Sequence, residues 1–199
     1  MKNNNIQKYH LRKHASFLIL PLLFLLVGGH LLRAQVIRIR EDHLEERRSL
    51  AAVNAVAYSN RIIQDLQGGI LVTNSLEEII INGNGQFSKF YDIASDLMDD
   101  SIQSIQLAPG GVVTEIYPEE VNDAGKIDLL HDAARGAYAH YAMEHNVTVL
   151  QGPFALKQGG SGIAIRNPVY LEKNGQQEFW GFTVAIIRVP EIFTDSLGA

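Results

Sequence analysis

The sequence predicts an α+β protein with an N-terminal transmembrane helix, a long stalk helix and then an antiparallel sheet with flanking helices. Three observations lead to this fold class. An uncharged apolar run lies near the N-terminus, a charged segment without Pro or Gly covers residues 36–67, and short apolar runs separated by Gly-rich turns follow residue 100. Long periodic segments are typical of helices, and short apolar runs between turn signals are typical of strands.

The composition excludes several classes of protein. The chain has 199 residues, 46% of them apolar, and no Cys, which argues against disulfide-built scaffolds, Cys-ligated metal sites and Cys nucleophiles. Lys2, Lys8, Arg12 and Lys13 are 4 of the 17 basic residues, which leaves 13 basic against 22 acidic residues in the remainder. Because phosphate contacts need clustered Lys and Arg, this acidic remainder is not expected to bind nucleic acid.

The segment 15–32 is predicted to be a membrane anchor. It contains no Asp, Glu, Lys or Arg, and its length is near the lower limit of roughly 17–25 residues for a spanning helix. Since the basic residues precede it, residues 1–14 are expected to be cytoplasmic and residues 33–199 extracytoplasmic, in a cell membrane. One alternative is a cleaved signal peptide, against which no small-x-small site follows the apolar core closely. The other is a buried helix of a soluble protein.

A stalk helix is predicted within residues 33–69, with its regular part from 36 to 67 and the pair Gly68-Gly69 as its end. Apolar residues recur there at heptad spacing, and two polar residues interrupt them. Such a seam favours a parallel homodimer, while the alternative is an amphipathic helix packed on its own domain. The seam consists of Val36, Ile39, His43, Glu46, Leu50, Val53 and Ala57.

Residues 70–193 are predicted to form the folded domain. Two short helices should flank the break at 83–85, and the apolar residues of 102–118 predict a hairpin around Pro109-Gly110-Gly111. A helix over 132–145, with Asp132 as its N-cap and Asn146 as its stop, should precede three more strands within 147–156, 163–171 and 179–189. The resulting order, β-β-α-β-β-β, predicts an antiparallel sheet with helices on one face.

Motif searches reveal no catalytic constellation. The loop 159–162 is rich in Gly, but a strand rather than a helix follows it, so a hairpin turn is favoured over a phosphate site. His131, His140 and His145 lack the spacing and the carboxylate of a zinc motif. No metal, cofactor or catalytic residue is therefore predicted, and a binding or sensing role is favoured over an enzyme.

Five stretches together resemble the CHASE domain, the extracytoplasmic sensor of cytokinin-receptor kinases and of many bacterial signalling proteins such as diguanylate cyclases. Their order over about 90 residues is more specific than any one of them. The stretches are IQLAPGGVV (105–113), IYP (116–118), KIDLL (126–130), GPFAL with QGG (152–160) and RNPVY (166–170), and the closing FWGF (179–182) fits as well.

The resemblance implies a PAS-like fold, a small-molecule ligand and signalling as a dimer. It also implies a cytoplasmic output domain beyond a second membrane span. Residues 194–199 end the chain before either, so the sequence is expected to be an N-terminal fragment of a receptor.

The resemblance also implies ligand-binding residues. Asp128 in KIDLL matches an Asp that accepts hydrogen bonds from the ligand, and Leu150 matches a pocket Leu. A polar Thr of the family aligns near Gly159 or Gly160, so a cytokinin ligand is not implied. The alternative for Asp128 is an acid stabilised by the dipole of the following helix.

Phe154, Tyr117 and Arg166 are further candidates for the ligand pocket. Their alternatives are sheet core for the two aromatic residues and a surface ion pair for Arg166. The functional prediction is a ligand sensor that passes a helix movement across the membrane; the alternative is a membrane-tethered protein-interaction module without a small-molecule ligand. A closed apolar pocket with converging polar groups would favour the sensor, and a filled interior with an exposed apolar patch would favour the module.

Overall fold

The computed structural model describes residues 3–119, 125, 127–156 and 159–189, without the side chains of residues 3–20 and 22. Residues 1–2, the side chains of the rest of the predicted basic N-terminus and the side chains of part of the predicted span 15–32 therefore lie outside this description. So do Lys126 and Gln158 of the family motifs and the tail 194–199. The chain divides into two compact units, residues 1–58 and 59–199. Among the described residues, no helix combines the length and the apolar character that a membrane crossing needs.

Helix α1 extends from Asn3 to Asn82, so the prediction that Gly68-Gly69 ends the stalk helix is wrong. Gly69 serves close packing instead. A Cβ atom at this position would stand 2.5 Å from Ile165 Cδ1 and 2.7 Å from Ile187 Cδ1, which places the helix backbone directly against the sheet. The helix ends at Asn82, directly before the Gly-Asn-Gly sequence 83–85, where a break between helices is predicted.

The second unit contains a five-stranded antiparallel sheet, as predicted. Its strand order is β2-β1-β5-β4-β3, and helix α2 precedes it, while helix α3 lies between β2 and β3 in sequence. The elements are α2 (Phe90–Leu97), β1 (Ile102–Pro109), β2 (Glu115–Tyr117), α3 (Gly136–His145), β3 (Val149–Ala155), β4 (Ser161–Lys173) and β5 (Gln176–Val189).

Both faces of this sheet are covered, so the prediction of helices on one face only is wrong. On one face, here called the α1 face, Leu76 and Ile80 of α1 and Phe90 of α2 pack on the sheet. On the other, here called the α3 face, Ala139 and Ala142 of α3 pack on it together with residues of the segment 127–130. Since side chains alternate along a strand, neighbouring residues of β4 and β5 belong to different faces.

Helix α3 begins at Gly136 rather than at 132, which corrects the predicted N-cap. The Asp132 carboxylate accepts hydrogen bonds from the backbone N–H groups of Ala134 and Arg135, both at 2.9 Å, and thereby closes a turn before the helix. The predicted stop is confirmed: Asn146 follows the helix in the left-handed conformation, with φ 50°.

Candidate functional site

One row of side chains crosses all five strands on the α3 face. The register pairs Gln106 of β1 with Ile116 of β2 and with Val184 of β5, and pairs Arg166 of β4 with Val184 and with Val149 of β3. Paired residues of neighbouring strands point to the same side of a sheet. A polar amide and a guanidinium group are thus held two strands apart, with a Val between them.

A cavity of about 130 Å³ lies over this row. The sheet provides Ser104, Gln106, Val184 and Arg166, while the segment before α3 provides Leu129 and further residues opposite. The whole described lining is Gln103, Ser104, Gln106, Ile116, Ile127, Leu129, Arg135, Phe154, Ala155, Leu156, Arg166, Val184 and Ile186. The cavity is therefore mostly apolar with a few converging polar groups, which is the usual composition of a small-molecule site.

Arg166 is the unusual member of this lining. Its residue is 2% exposed, and its Nε and Nη1 atoms are buried without a hydrogen-bond partner among the described residues. Burial lowers the pKa of the Arg166 guanidinium to about 10, and repulsion from Arg135 adds to the effect, while Asp132 opposes it. A buried charged donor without an acceptor is costly, so this guanidinium is a candidate for contact with a ligand.

Arg135 also lines the cavity, but its charge is balanced. Its Nη1 atom donates to Oδ2 of Asp132, and the same carboxylate accepts the Arg135 backbone N–H. Burial raises the pKa of Asp132, but hydrogen bonds from the backbone N–H groups of Ala134 and Arg135, together with the charge of Arg135, hold it below its usual value. Arg166 therefore carries the one uncompensated charge among the described lining residues.

On the opposite side of the same strands, the residues next to Arg166 contact α1. Asn167 donates from Nδ2 to Oε2 of Glu77 at 2.6 Å, and the neighbouring Ile165 packs against the backbone at Gly69. On β5, Thr183 donates from Oγ1 to a backbone carbonyl oxygen of α1 at 3.0 Å. Strands β4 and β5 thus touch the cavity with one face and α1 with the other.

Of the five predicted site residues, Phe154 and Arg166 line this cavity. Asp128 does not, and its side chain is 42% exposed. Its Oδ1 atom accepts the backbone N–H groups of Leu130 and His131, both at 3.1 Å, and Oδ2 is 2.9 Å from Nδ1 of His131. The hydrogen bonds to His131 hold the pKa of Asp128 below its usual value. The carboxylate is thus engaged by its own chain.

The remaining two predicted residues lie elsewhere. Leu150 is 42% exposed and lines a shallow apolar groove with Tyr138 and Tyr141 of α3. Tyr117 packs on the α1 face, and its hydroxyl donates to Oγ of Ser95 in α2 at 3.2 Å. The structure therefore distributes the five candidates over several places rather than one pocket.

Sequence reasoning missed Ser104, Gln106 and Arg135. A signal for the first two exists, because polar Ser104 and Gln106 alternate along β1 with apolar Ile105 and Leu107. That alternation is also typical of a strand with one face in water. Only the structure shows that Ser104 and Gln106 are buried, and hence that the polar side of the strand faces a cavity.

The second unit is an α+β domain with a cavity on the α3 face of its sheet. A family model described as the CHASE domain matches residues 42–199, which is more than half of the chain. The chain therefore belongs to the CHASE-domain family, as the resemblance predicted, and this family consists of sensor domains rather than enzymes.

Two solved structures are similar to this chain. One is the "Extracellular ligand binding receptor from Desulfohalobium retbaense DSM5692", with a TM-score of 0.54, 12% identity, and coverage of 70% of this chain and 25% of that one. The other is the ligand-binding domain of the Pseudomonas aeruginosa PAO1 amino-acid chemoreceptor PctC in complex with GABA, with a TM-score of 0.47, 19% identity, and coverage of 76% and 64%. The chain thus spans less than two thirds of either structure. No curated protein matches the sequence.

Proposed function

We propose that this chain is the extracytoplasmic sensor domain of a membrane receptor and that the cavity on the α3 face is its ligand site. The observation that carries this proposal is the buried guanidinium of Arg166, whose Nε and Nη1 lack partners at the wall of a mostly apolar cavity. Such a group does not stabilise a core, since an apolar side chain would pack there at a lower cost in free energy.

The sheet offers a direct path from this site to α1. A ligand that hydrogen-bonds Arg166 pulls on β4, and the next residue along the strand, Asn167, is bonded to Glu77 of α1. Thr183 of β5 makes the second such bond. We expect a displacement of these two strands to move α1 at these points, and to travel along that helix as the signal.

The cavity assignment is tested by filling the cavity. Small metabolites are screened by thermal shift with the 199-residue chain purified in detergent. Three proteins are compared: the wild type, Ser104→Leu, which fills the cavity, and Ser59→Leu, a control at an exposed position on α1. Compounds should stabilise the wild type and the control but not Ser104→Leu. A compound that stabilises all three equally binds elsewhere, and that result would contradict the site.

The proposed membrane topology rests on the sequence pattern of residues 1–32. Basic residues precede an uncharged apolar run, which favours a cytoplasmic N-terminus and translocation of residues 33–199. A reporter enzyme fused after Ala199 should be active only if it is of a kind that works outside the cytoplasm. Activity of a reporter that works only in the cytoplasm would overturn this topology.

We also propose that the chain forms a parallel dimer through the heptad seam. Its apolar residues, among them Ile39, Leu50 and Val53, are more than half exposed in the single chain, so they are available to a second copy. Because the chain has no Cys, Val53→Cys should crosslink between chains under oxidation, while the adjacent Asn54→Cys should crosslink poorly. Equal crosslinking at both positions would exclude a defined seam.

A protein-interaction module remains the second candidate function, and one surface favours it. Tyr138, Tyr141 and Leu150 are 46%, 54% and 42% exposed and form an apolar groove together. Exposed apolar patches often mark protein contacts. The variant Tyr141→Ser distinguishes this candidate function from the ligand sensor. It should abolish binding of a protein partner without changing the response to metabolites.

A further inference from the structure

We infer that the cavity on the α3 face takes a short-chain aliphatic monocarboxylate, with its carboxylate on Arg166 and its alkyl chain against the apolar walls. This inference rests on the proposed function and deepens it. Three properties of the lining carry it: the balance of charge, the distribution of polar and apolar groups, and the volume.

The balance of charge selects a ligand with a single negative charge. Arg166 and Arg135 are the charged residues of the described lining, and the Asp132 carboxylate already neutralises Arg135. One positive charge remains, and the buried Nε and Nη1 donors of Arg166 have no acceptor among the described residues. Guanidinium groups bind carboxylates through charge-assisted hydrogen bonds, which are shorter and stronger than neutral ones.

The apolar walls select an aliphatic remainder. Ile116, Leu129, Phe154, Val184 and Ile186 all contribute to the lining. No Asp or Glu is found among the described lining residues, so no carboxylate there would neutralise the ammonium group of an amino acid. A ligand with a carboxylate at one end and an alkyl chain at the other matches this arrangement, because Arg166 binds the carboxylate and burial of the chain against the apolar walls is favourable.

The volume limits the length of the chain. The cavity measures about 130 Å³. An apolar protein cavity of about 150 Å³ accommodates benzene, which has about six non-hydrogen atoms. Propionate and butyrate, each a carboxylate with a short alkyl chain, are of similar size and therefore suitable.

Ligands that differ in one property each test this inference. The detergent-purified chain is titrated with butyrate, with its uncharged analogue butyramide, with the ω-amino acid GABA and with the dicarboxylate succinate, and melting temperature and calorimetric affinity are measured. Butyrate should bind at least ten-fold more tightly than each of the other three. Equal binding of butyrate and butyramide would overturn the inference, because the carboxylate would then contribute nothing.

Variants locate the carboxylate. Arg166→Met and the more conservative Arg166→Gln should each weaken butyrate binding at least ten-fold, while Arg61→Met, an exposed Arg on α1, should leave it unchanged. Melting curves without ligand verify that each variant is folded. Unchanged binding in both Arg166 variants would place the carboxylate elsewhere and overturn the inference.

The failure of this inference is distinguishable from that of the proposed function. If no carboxylate stabilises the wild type, but a neutral or cationic metabolite does so and loses its effect in Ser104→Leu, the ligand class is wrong and the site is right. If butyrate stabilises Ser104→Leu as strongly as the wild type, the ligand class and the site are both wrong.

Because Arg166 keeps its proton well above neutral pH, with a pKa of about 10, butyrate affinity should be constant from about pH 6 to pH 9.

Discussion

The two faces of the sheet differ in their packing and in how their buried polar groups are paired. On the α1 face, apolar side chains fill the space under the helix, and its buried polar residues Asn167 and Thr183 are hydrogen-bonded to α1. On the α3 face, a cavity remains, and the guanidinium of Arg166 has donors without acceptors among the described residues. Under the proposed function, the first face stabilises the fold, while the second gives up stability for binding.

Truncating a buried side chain on the α1 face should have the largest effect on stability. Leu76 is fully buried under the sheet, so Leu76→Ala should lower the free energy of unfolding by about 2–5 kcal/mol. On the same helix Leu71 is 68% exposed, and Leu71→Ala should change it by less than about 0.5 kcal/mol. Urea unfolding followed by the fluorescence of Trp180, the single Trp, measures both. Equal losses in the two variants would remove the distinction on which this comparison depends.

On the α3 face, removal of the unpaired charge should stabilise the protein without ligand. Arg166→Met eliminates the burial cost of unsatisfied donors, and the free energy of unfolding should rise by about 1–3 kcal/mol. The exposed control Arg61→Met should change it little. A large loss of stability in Arg166→Met would mean that Arg166 is part of the structural core and not of a binding site.

Breaking a bond between the sheet and α1 should have a smaller effect. Thr183→Val keeps the volume and removes the hydrogen bond to the helix carbonyl, which should cost about 1 kcal/mol. Butyrate affinity should change less than about two-fold, since Thr183 faces away from the cavity. Thr114→Val, at an exposed position, is the matched control. A ten-fold loss of affinity in Thr183→Val would show that the two faces are not separable.

The smallest effect is expected at Asp128. Its carboxylate holds backbone N–H groups and His131, so Asp128→Asn should change ligand affinity less than two-fold. It should lower stability at neutral pH. Because the pKa of Asp128 is lower in the folded chain than in the unfolded one, its contribution is present above about pH 4 and disappears as the pH falls through the folded value. Thermal melts of both proteins between pH 3 and pH 7 measure this difference; a ten-fold loss of affinity would restore Asp128 as a ligand residue.

Local signals predicted most of the elements. The break at 83–85, the hairpin turn at 109–111 and the stop at Asn146 depend on the conformations that Gly and Asn adopt readily, and the structure confirms each of them. The prediction for Gly69 is wrong because the sequence alone does not distinguish a Gly that ends a helix from a Gly that lets a helix approach a sheet closely. The two are distinguished only by Ile165 and Ile187, about a hundred residues away.

The site was harder to predict than the fold. Arg166 and Phe154 were included through the family resemblance, but nothing in the sequence separates them from Asp128 and Leu150, which lie outside the cavity. Burial without a partner is a property of the folded chain. It depends on the pairing of β1, β5 and β4, which brings Gln106 and Arg166 into one row.

The most direct test of the central claim observes Arg166 itself. Nuclear magnetic resonance of the arginine Nε–H groups is recorded on the labelled chain in detergent, with assignment through Arg166→Lys, during titration with butyrate. The account predicts that the Arg166 Nε–H signal shifts and exchanges more slowly with solvent as butyrate binds, while the signal of Arg61 stays constant. Saturable binding of butyrate that leaves the Arg166 signal unchanged would contradict the account.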